Sequence, residues 1–391
     1  MINKQAHICI LGGGFGGVFT ALYLKGLGWR TSPQITLIDE KDHFLFTPLL
    51  YELVTGELKT WQLAPLFSKL LGGRGINFKQ ARVENVDLQN RCVTLDDQTI
   101  LSYDRLVIAT GKETLLDVVA GAAEYAIPFR SLADVRRLRE RLRFLETSEL
   151  TKIRVCIVGA GPNGVELACK LADRLKSRGE IVLISRHDKI LKNFALATQK
   201  SALRCLGRRG ILLELQSSVE SVDKDFITVV KNNQRCLQKA DLVVWTTGTK
   251  TADWVKNLSQ YQMQQKELMV LPTLQLMEFP EVFALGDIAT ANVSKDAAPA
   301  TAQAAFQQAK VAAKNIRASL MGKNLQKFRY RHLGEMLTLG IGVSAISSFG
   351  VHFSGRVAGV FRQWFYLLRM PTFRHRFKVA KAWILRLISS P

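Results

Sequence analysis

His7-Ile8-Cys9-Ile10-Leu11-Gly12-Gly13-Gly14-Phe15-Gly16-Gly17 returns, changed only in detail, as Arg154-Val155-Cys156-Ile157-Val158-Gly159-Ala160-Gly161-Pro162-Asn163-Gly164. Each copy is a short apolar strand running into G-x-G-x-x-G and then into a helical pattern. In such a turn the first glycine permits the sharp reversal, the second lets backbone approach a pyrophosphate, and the third lets helix pack on strand. The helix that follows offers unpaired N–H groups and a positive dipole end to phosphate. One such turn is a weak signal. Two in a single chain predict two bound dinucleotides, most simply a flavin and a nicotinamide, with electrons passing between them.

The strand 8–11, the turn over Gly12, Gly14, Phe15 and Gly17, and a helix over 17–27 lead to a second strand at 35–38 that ends in Asp39-Glu40. An acid at that strand end is placed to accept from a ribose hydroxyl pair. Asp39 fits the role and Glu40 is the second choice. Further on, Leu106-Val107-Ile108-Ala109-Thr110-Gly111 is an apolar strand closing in a small-residue turn, and Val282-Phe283-Ala284-Leu285-Gly286-Asp287 repeats that design. Thr110, Gly111, Gly286 and Asp287 are the expected flavin contacts. Their separation implies a first domain made of two stretches.

In the second copy the strand 155–158, the glycines Gly159, Gly161 and Gly164, and a helix over 165–175 lead to a strand at 181–184. Aligned on the first copy, Asp39-Glu40 has become Ser185-Arg186, with His187 and Lys189 close by. A carboxylate would repel a 2′-phosphate, whereas serine and arginine hold one. NADPH is therefore expected over NADH, which stays possible. Gly248 is counted with the nucleotide-binding positions. Glu166 lies in the first turn of the second helix, where it gains from the dipole. By itself it reads equally well as an ordinary helix-start acid.

The bulk numbers leave room for two or three domains in 391 residues, and a net charge of +21 calls for an acidic partner. Phosphate-bearing ligands and an anionic membrane face meet that need. No RNA-binding signature or zinc spacing is present, so neither nucleic acid nor metal is expected. The six cysteines (Cys9, Cys92, Cys156, Cys169, Cys205, Cys236) form no close pair, which argues against a disulfide oxidoreductase and against secretion. The first motif begins close to Met1, so no signal peptide is expected. No apolar run reaches about 18 residues, so no transmembrane helix is expected either.

Taken together, these segments resemble the type II NAD(P)H:quinone oxidoreductases, single-chain FAD-containing enzymes of the membrane periphery. Besides both glycine turns, the chain carries Phe46-Thr47-Pro48-Leu49-Leu50-Tyr51-Glu52, Gly164-Val165-Glu166-Leu167-Ala168, Ala284-Leu285-Gly286-Asp287, Thr301-Ala302-Gln303-Ala304-Ala305-Phe306-Gln307-Gln308 and Leu333-Gly334-Glu335-Met336-Leu337-Thr338-Leu339-Gly340. The resemblance implies FAD against Pro48 and Ala302, and a catalytic Glu166. It also implies a quinone site at Gln303 and Gln307, which share a helix face. From the residues alone, a packing helix with exposed amides would be the simpler account of that pair. Two positions depart from the respiratory members: Ser185 replaces an acid, and Phe306 stands where histidine is frequent. The chain is thus more similar to the cyanobacterial and plastid branch, which reduces demethylated naphthoquinones such as demethylphylloquinone in vitamin K1 synthesis. A respiratory NADH:plastoquinone or ubiquinone reductase and a non-catalytic membrane redox sensor are the alternatives.

From Met336 to Pro391 there is no Asp or Glu, while Arg356, Arg362, Arg369, Arg374, Arg376, Lys378, Lys381 and Arg386 are basic. Val357, Val360, Phe361, Trp364, Phe365 and Leu368 follow helical spacing, with Arg362, Gln363, Tyr366 and Arg369 opposite. After Pro371 the scheme repeats, with Phe373, Phe377, Ala380, Ile384, Leu387 and Ile388 on one side and Arg374, Lys378 and Lys381 on the other. Basic amphipathic helices with Trp and Phe lie in a membrane interface. Core helices or a dimer contact are the bland alternative, and a homodimer is possible. The expected architecture is α/β, with two Rossmann-like doubly wound dinucleotide-binding domains. FAD is assigned to 1–124 with 271–323, NAD(P)H to 125–270, and a C-terminal amphipathic helical membrane-binding module to 324–391. The whole is expected to be a peripheral, monotopic protein of the cytoplasmic or stromal side, with a naphthoquinone or plastoquinone as its membrane partner.

Overall fold

A computed structural model of the protein describes residues 5–260, 263–264, 267–291 and 298–389. Met1, Pro391 and the side chains of Arg386, Leu387 and Ile388, on which part of the preceding reading rests, lie outside what is described.

Two five-stranded parallel sheets share one design. In the first, the strands run in the order Val282–Ala284, Arg105–Ile108, His7–Leu11, Gln34–Asp39, Asn77–Gln80. In the second the order is Leu212–Glu214, Gly179–Ile184, Ile153–Val158, Leu242–Trp245, Ala126–Pro128. The central strands are mostly apolar because both faces of each sheet are covered, in the second by the helix Pro162–Leu175 and by the strands Ser217–Val222 and Phe226–Lys231, and Ile8, Cys9, Ile10 and Leu11 are fully buried. From the central strand the chain first builds outward on one side and later returns on the other. A crevice therefore opens at the carboxyl ends of neighbouring strands that belong to different crossovers, the place where nucleotides bind in such sheets. In the first sheet that crevice lies between Leu11 and Ile108, which stand side by side. In the second it lies between Val158 and Trp245.

The helices begin earlier than the sequence pattern suggests, at Phe15–Gly26 and Pro162–Leu175. Proline at the first helical position costs no hydrogen bond, and its fixed φ suits the first turn. The short strands Glu113–Thr114 and Thr249–Lys250 pair antiparallel and tie one half to the other. The helix Ala302–Leu320 lies against Phe15–Gly26, and an antiparallel sheet of Glu335–Thr338, Ser344–Ser348 and Val351–Gly355 follows.

Two helices, Arg356–Arg369 and Phe373–Ser389, end the described chain. Their orientation corrects one reading of the sequence. The spacing places Arg362 on the polar face, opposite the apolar one, yet it is 2% exposed and among the largest fully buried side chains. Gly359 explains how that face approaches so closely: a Cβ there would stand 2.3 Å from the Gly342 carbonyl oxygen. The polar face therefore packs inward, and Val357, Val360, Phe361, Trp364 and Leu368 are left exposed. In the last helix Val379 and Trp383 face the protein, while Phe373, Phe377 and Ile384 are exposed.

Candidate functional site

The two glycine turns separate what the protein needs for itself from what it leaves open. Gly12 and Gly159 have φ of +98° and +114°, a region side chains avoid. A Cβ on Gly17 would stand 1.8 Å from the Gly12 carbonyl oxygen, and one on Gly164 1.7 Å from that of Gly159. Gly14 and Gly161 are different. Their φ of −78° and −75° suits any residue, and a Cβ on either would meet nothing within 4 Å. Neither backbone nor neighbours require glycine there, so the free space above both helix N-termini fits a pyrophosphate. Buried polar atoms without partners lie beside both crevices: Thr110 Oγ1 in the first and Trp245 Nε1 in the second. Both fit a bound dinucleotide.

At the first crevice, Asp39 Oδ2 accepts from Gly13 N at 2.5 Å and Oδ1 from Lys41 N at 2.8 Å. Burial raises its proton affinity, and those two N–H groups oppose the rise. Glu40 is exposed and pairs with Lys41 at 3.4 Å. Only Asp39 is thus brought to the turn. Gly286, with φ of +79°, is fixed by its N–H donating to Gln308 Oε1 at 2.8 Å, and Asp287 accepts from Arg130 at 3.0 Å.

At the second crevice a cavity of about 670 Å³ is edged by Gly159, Gly161, Ser185, Trp245 and Gly248. Arg186, His187, Lys189 and Lys192 line its outer end, and no carboxylate lines it. Ser185 is buried, and its Oγ accepts from His187 N at 3.2 Å, which holds the basic turn in place.

A larger cavity of about 790 Å³ joins the halves and the tail. Phe15 and Pro48 reach it from the first half, Glu166 from the second half's helix, Ala302 and Gln303 from the helix after Asp287, and Tyr366 and Arg369 from the tail. Beneath it lies a buried ionic cluster. Arg362 donates to Glu52 Oε1 at 2.6 Å and to the Pro48 carbonyl at 2.6 Å, and its guanidinium stands 3.7 Å from Glu166 Oε1. It also lies over the Tyr366 ring, 5.0 Å from the centroid. Lys170, likewise buried, pairs with Glu52 at 3.7 Å and with Glu57. Burial drives the Glu166 carboxyl up to about 7; Arg362, the Thr338 N–H at 2.8 Å and the Tyr51 hydroxyl pull against it. Glu52 ends below the usual carboxylate range, because Arg362 and Lys170 outweigh its own burial. One carboxyl is thus held charged while its neighbour stands ready to exchange a proton near neutrality.

The two glutamines do not stand as a free pair. Gln303 Oε1 accepts from Tyr330 at 2.7 Å and from Leu333 N at 3.1 Å. Gln307 exchanges hydrogen bonds with the Arg331 backbone at 2.8 and 3.0 Å, and it does not line the cavity. Both amides pin the segment that leads to the tail. The cluster of Arg362, Lys170, Glu52 and Tyr51 escaped the sequence reading. Its traces were there: Lys170 in the apolar run Leu167-Ala168-Cys169-Lys170-Leu171, and Arg362 beside the small residues Ala358 and Gly359.

Residues 6–309 match the model of the pyridine nucleotide-disulphide oxidoreductases. The chain belongs to that family. Among curated relatives, the demethylphylloquinone reductase of Synechocystis sp. is 41% identical over 99% of this chain and 97% of its own length. The alternative NAD(P)H-ubiquinone oxidoreductase C1 of Arabidopsis thaliana, chloroplastic and mitochondrial, is 36% identical over 98% of this chain and 81% of its own. These put the oxidoreductase among the relatives of the type II quinone oxidoreductases. In fold it is similar to NDH2 from Plasmodium falciparum, solved in complex with NADH, at a TM-score of 0.88 and 19% identity over 97% and 98% of the two chains.

Proposed function

We propose that this oxidoreductase takes a hydride from NADPH on to bound FAD and passes two electrons to a lipid-soluble naphthoquinone of the demethylphylloquinone type, as in vitamin K1 synthesis. The observation that carries this reading is the shared cavity: flavin turn, nicotinamide helix and tail meet at one space, with Glu166 at its wall.

FAD, when bound, supplies the hydride and electron chemistry. The chain's own residues do the rest. Gly14 and Gly161 leave room for the two pyrophosphates, and Asp39 accepts from the flavin-side ribose. Ser185 and the cations behind it take the 2′-phosphate of NADPH. Burial lifts the Glu166 carboxyl to about 7, so it can give a proton to a reduced quinone oxygen and recover one from water near neutrality. Gln303 holds the segment carrying Tyr330 and His332 at the cavity rim. The two sheets support FAD binding by 1–124 with 271–323, and NADPH binding by 125–270.

The tail is the membrane face in this reading. Its outward helix surface is apolar, with Phe361 61% and Leu368 65% exposed in the free protein, and no acid follows Glu335. Among the described residues no helix is long and apolar enough to cross a membrane, so the helices would lie in the interface. Anionic lipid would add about 1 kcal/mol for each basic residue near the surface.

The test is an anaerobic stopped-flow pair on flavin-loaded protein: bleaching by NADPH or NADH, then reoxidation by a set of naphthoquinones and benzoquinones. Faster bleaching by NADPH and fast reoxidation by naphthoquinones are expected. A flavin that NADPH bleaches but no quinone restores would defeat the proposal.

A further inference from the structure

Among the described residues lining the cavity, Arg369 is an arginine without an acid partner. Arg130, the other arginine of the lining, is paired with Asp287 at 3.0 Å. Arg369 has no carboxylate within ion-pairing distance among the described residues. Its guanidinium lies 4.9 Å from the Phe306 ring centroid and 5.0 Å from that of Phe365. Two aromatic rings therefore fix a planar group that has five N–H donors and no acid to use them.

Its place on the tail adds a second argument. Leu368, the preceding residue, is 65% exposed on the outward apolar surface, whereas Arg369 is half-buried and faces the cavity. The exposed apolar surface and the cavity are thus reached by adjacent residues of one helix. The amides that sequence spacing offered for a quinone oxygen are engaged with the 330–334 segment. Phe306 and Phe365 line the same cavity, so an apolar ring beside Arg369 would have aromatic neighbours.

We infer that Arg369 is a catalytic residue of the quinone half-reaction, donating to one quinone oxygen and stabilising the negative charge that gathers there. The inference rests on the quinone reading above. Bound reduced flavin would supply the two electrons and one proton of this step and be left oxidised. The quinone gains them and becomes a hydroquinone anion, held by the guanidinium. A second proton, from Glu166, completes the hydroquinone, and water restores Glu166. Removing one preorganised donor from such a site slows reaction by a factor on the order of 10²–10³.

The test compares wild type, Arg369→Gln and Arg369→Lys, all flavin-loaded and bound to vesicles containing anionic lipid. Three quantities are read: flavin bleaching by NADPH, flavin reoxidation by menadione, and binding of 2-hydroxy-1,4-naphthoquinone, an anion at neutral pH, to the oxidised enzyme by flavin fluorescence. The glutamine variant should bleach like wild type, reoxidise on the order of 10²-fold more slowly, and bind the anion at least about tenfold more weakly. The lysine variant should recover part of both losses, since it keeps the charge but not the planar fork. Reoxidation of the glutamine variant at the wild-type rate overturns the inference. So does equal slowing of bleaching and reoxidation, which marks a structural role, or loss of vesicle binding alone, which marks a lipid contact. If wild type itself is not reoxidised by any quinone, the quinone reading falls and takes this inference with it.

Discussion

Replacing Arg362 with methionine strips the nearest cation from two buried carboxylates at once. Arg362 and Glu52 are each 2% exposed at the side chain and lie 2.6 Å apart, and Glu166 is 3.7 Å away. Breaking a buried pair by removing one partner costs about 3–5 kcal/mol, because the other charge is left without compensation. Here the lower end is expected. Lys170 remains 3.7 Å from Glu52, and Glu166, already at about 7, can escape by staying protonated. With the usual unfolding entropy per residue, about 3 kcal/mol lowers the melting midpoint of a chain this long by about 4 °C. Release of flavin fluorescence on heating would measure it. The same substitution should raise the Glu166 carboxyl further and move the pH profile of quinone-driven reoxidation upward. The double variant Glu52→Leu, Arg362→Met is the control: it removes both charges, leaves Lys170 to Glu57, and should regain most of the lost stability. A single variant that melts with wild type, or a double variant that melts below the single, would refute the account of the cluster.

Three further outcomes are expected. Ser185→Glu should cut kcat/KM for NADPH by about 10- to 100-fold, the worth of one hydrogen bond to a charged group, while sparing NADH; steady-state comparison of the two nicotinamides checks it. Phe361→Glu with Leu368→Glu should weaken co-sedimentation with anionic vesicles by a factor on the order of 10³, at about 2 kcal/mol per buried apolar side chain. Both positions are exposed in the free protein, so its melting midpoint should not move, and retained binding would speak against the membrane face. Deleting everything after Gly355 is a poorer test, because it also removes Arg362 from the cluster. Finally, Glu166 binds its proton more tightly folded than unfolded, so the folded state carries the excess proton between about 4.5 and about 7. That contribution to stability is complete at acid pH and fades as pH rises through this window. Glu166→Gln should flatten that part of the stability profile, and chemical denaturation across the range would show whether it does.

Both nucleotide crevices were readable because their determinants are local. A glycine turn between an apolar strand and a helix is defined over about a dozen residues, and the change from Asp39-Glu40 to Ser185-Arg186 is visible once the two copies are aligned. The tail was half readable. Its 3.6-residue spacing gave two amphipathic helices, but periodicity says which residues share a face and not which face turns inward. Arg362 shows the difference. In most surface helices the apolar side is buried, whereas here small residues at Ala358 and Gly359 let the polar side pack and a buried carboxylate awaits the guanidinium.

The glutamines make the same point from the other direction. Spacing put Gln303 and Gln307 on one helix surface, and so they are, but each amide has a nearer partner in a segment more than twenty residues later. Taken alone, the order of residues decided that two Rossmann-type units would form and where each glycine turn would lie, since both are written in short stretches whose geometry is their own. The tertiary structure alone decided that Glu52, Glu166, Lys170 and Arg362 meet in one buried cluster, and that Arg369 faces the cavity without an acid beside it. Those contacts join residues as far as 310 positions apart, and the energies of burial and charge pairing that govern them exist only once the chain has closed.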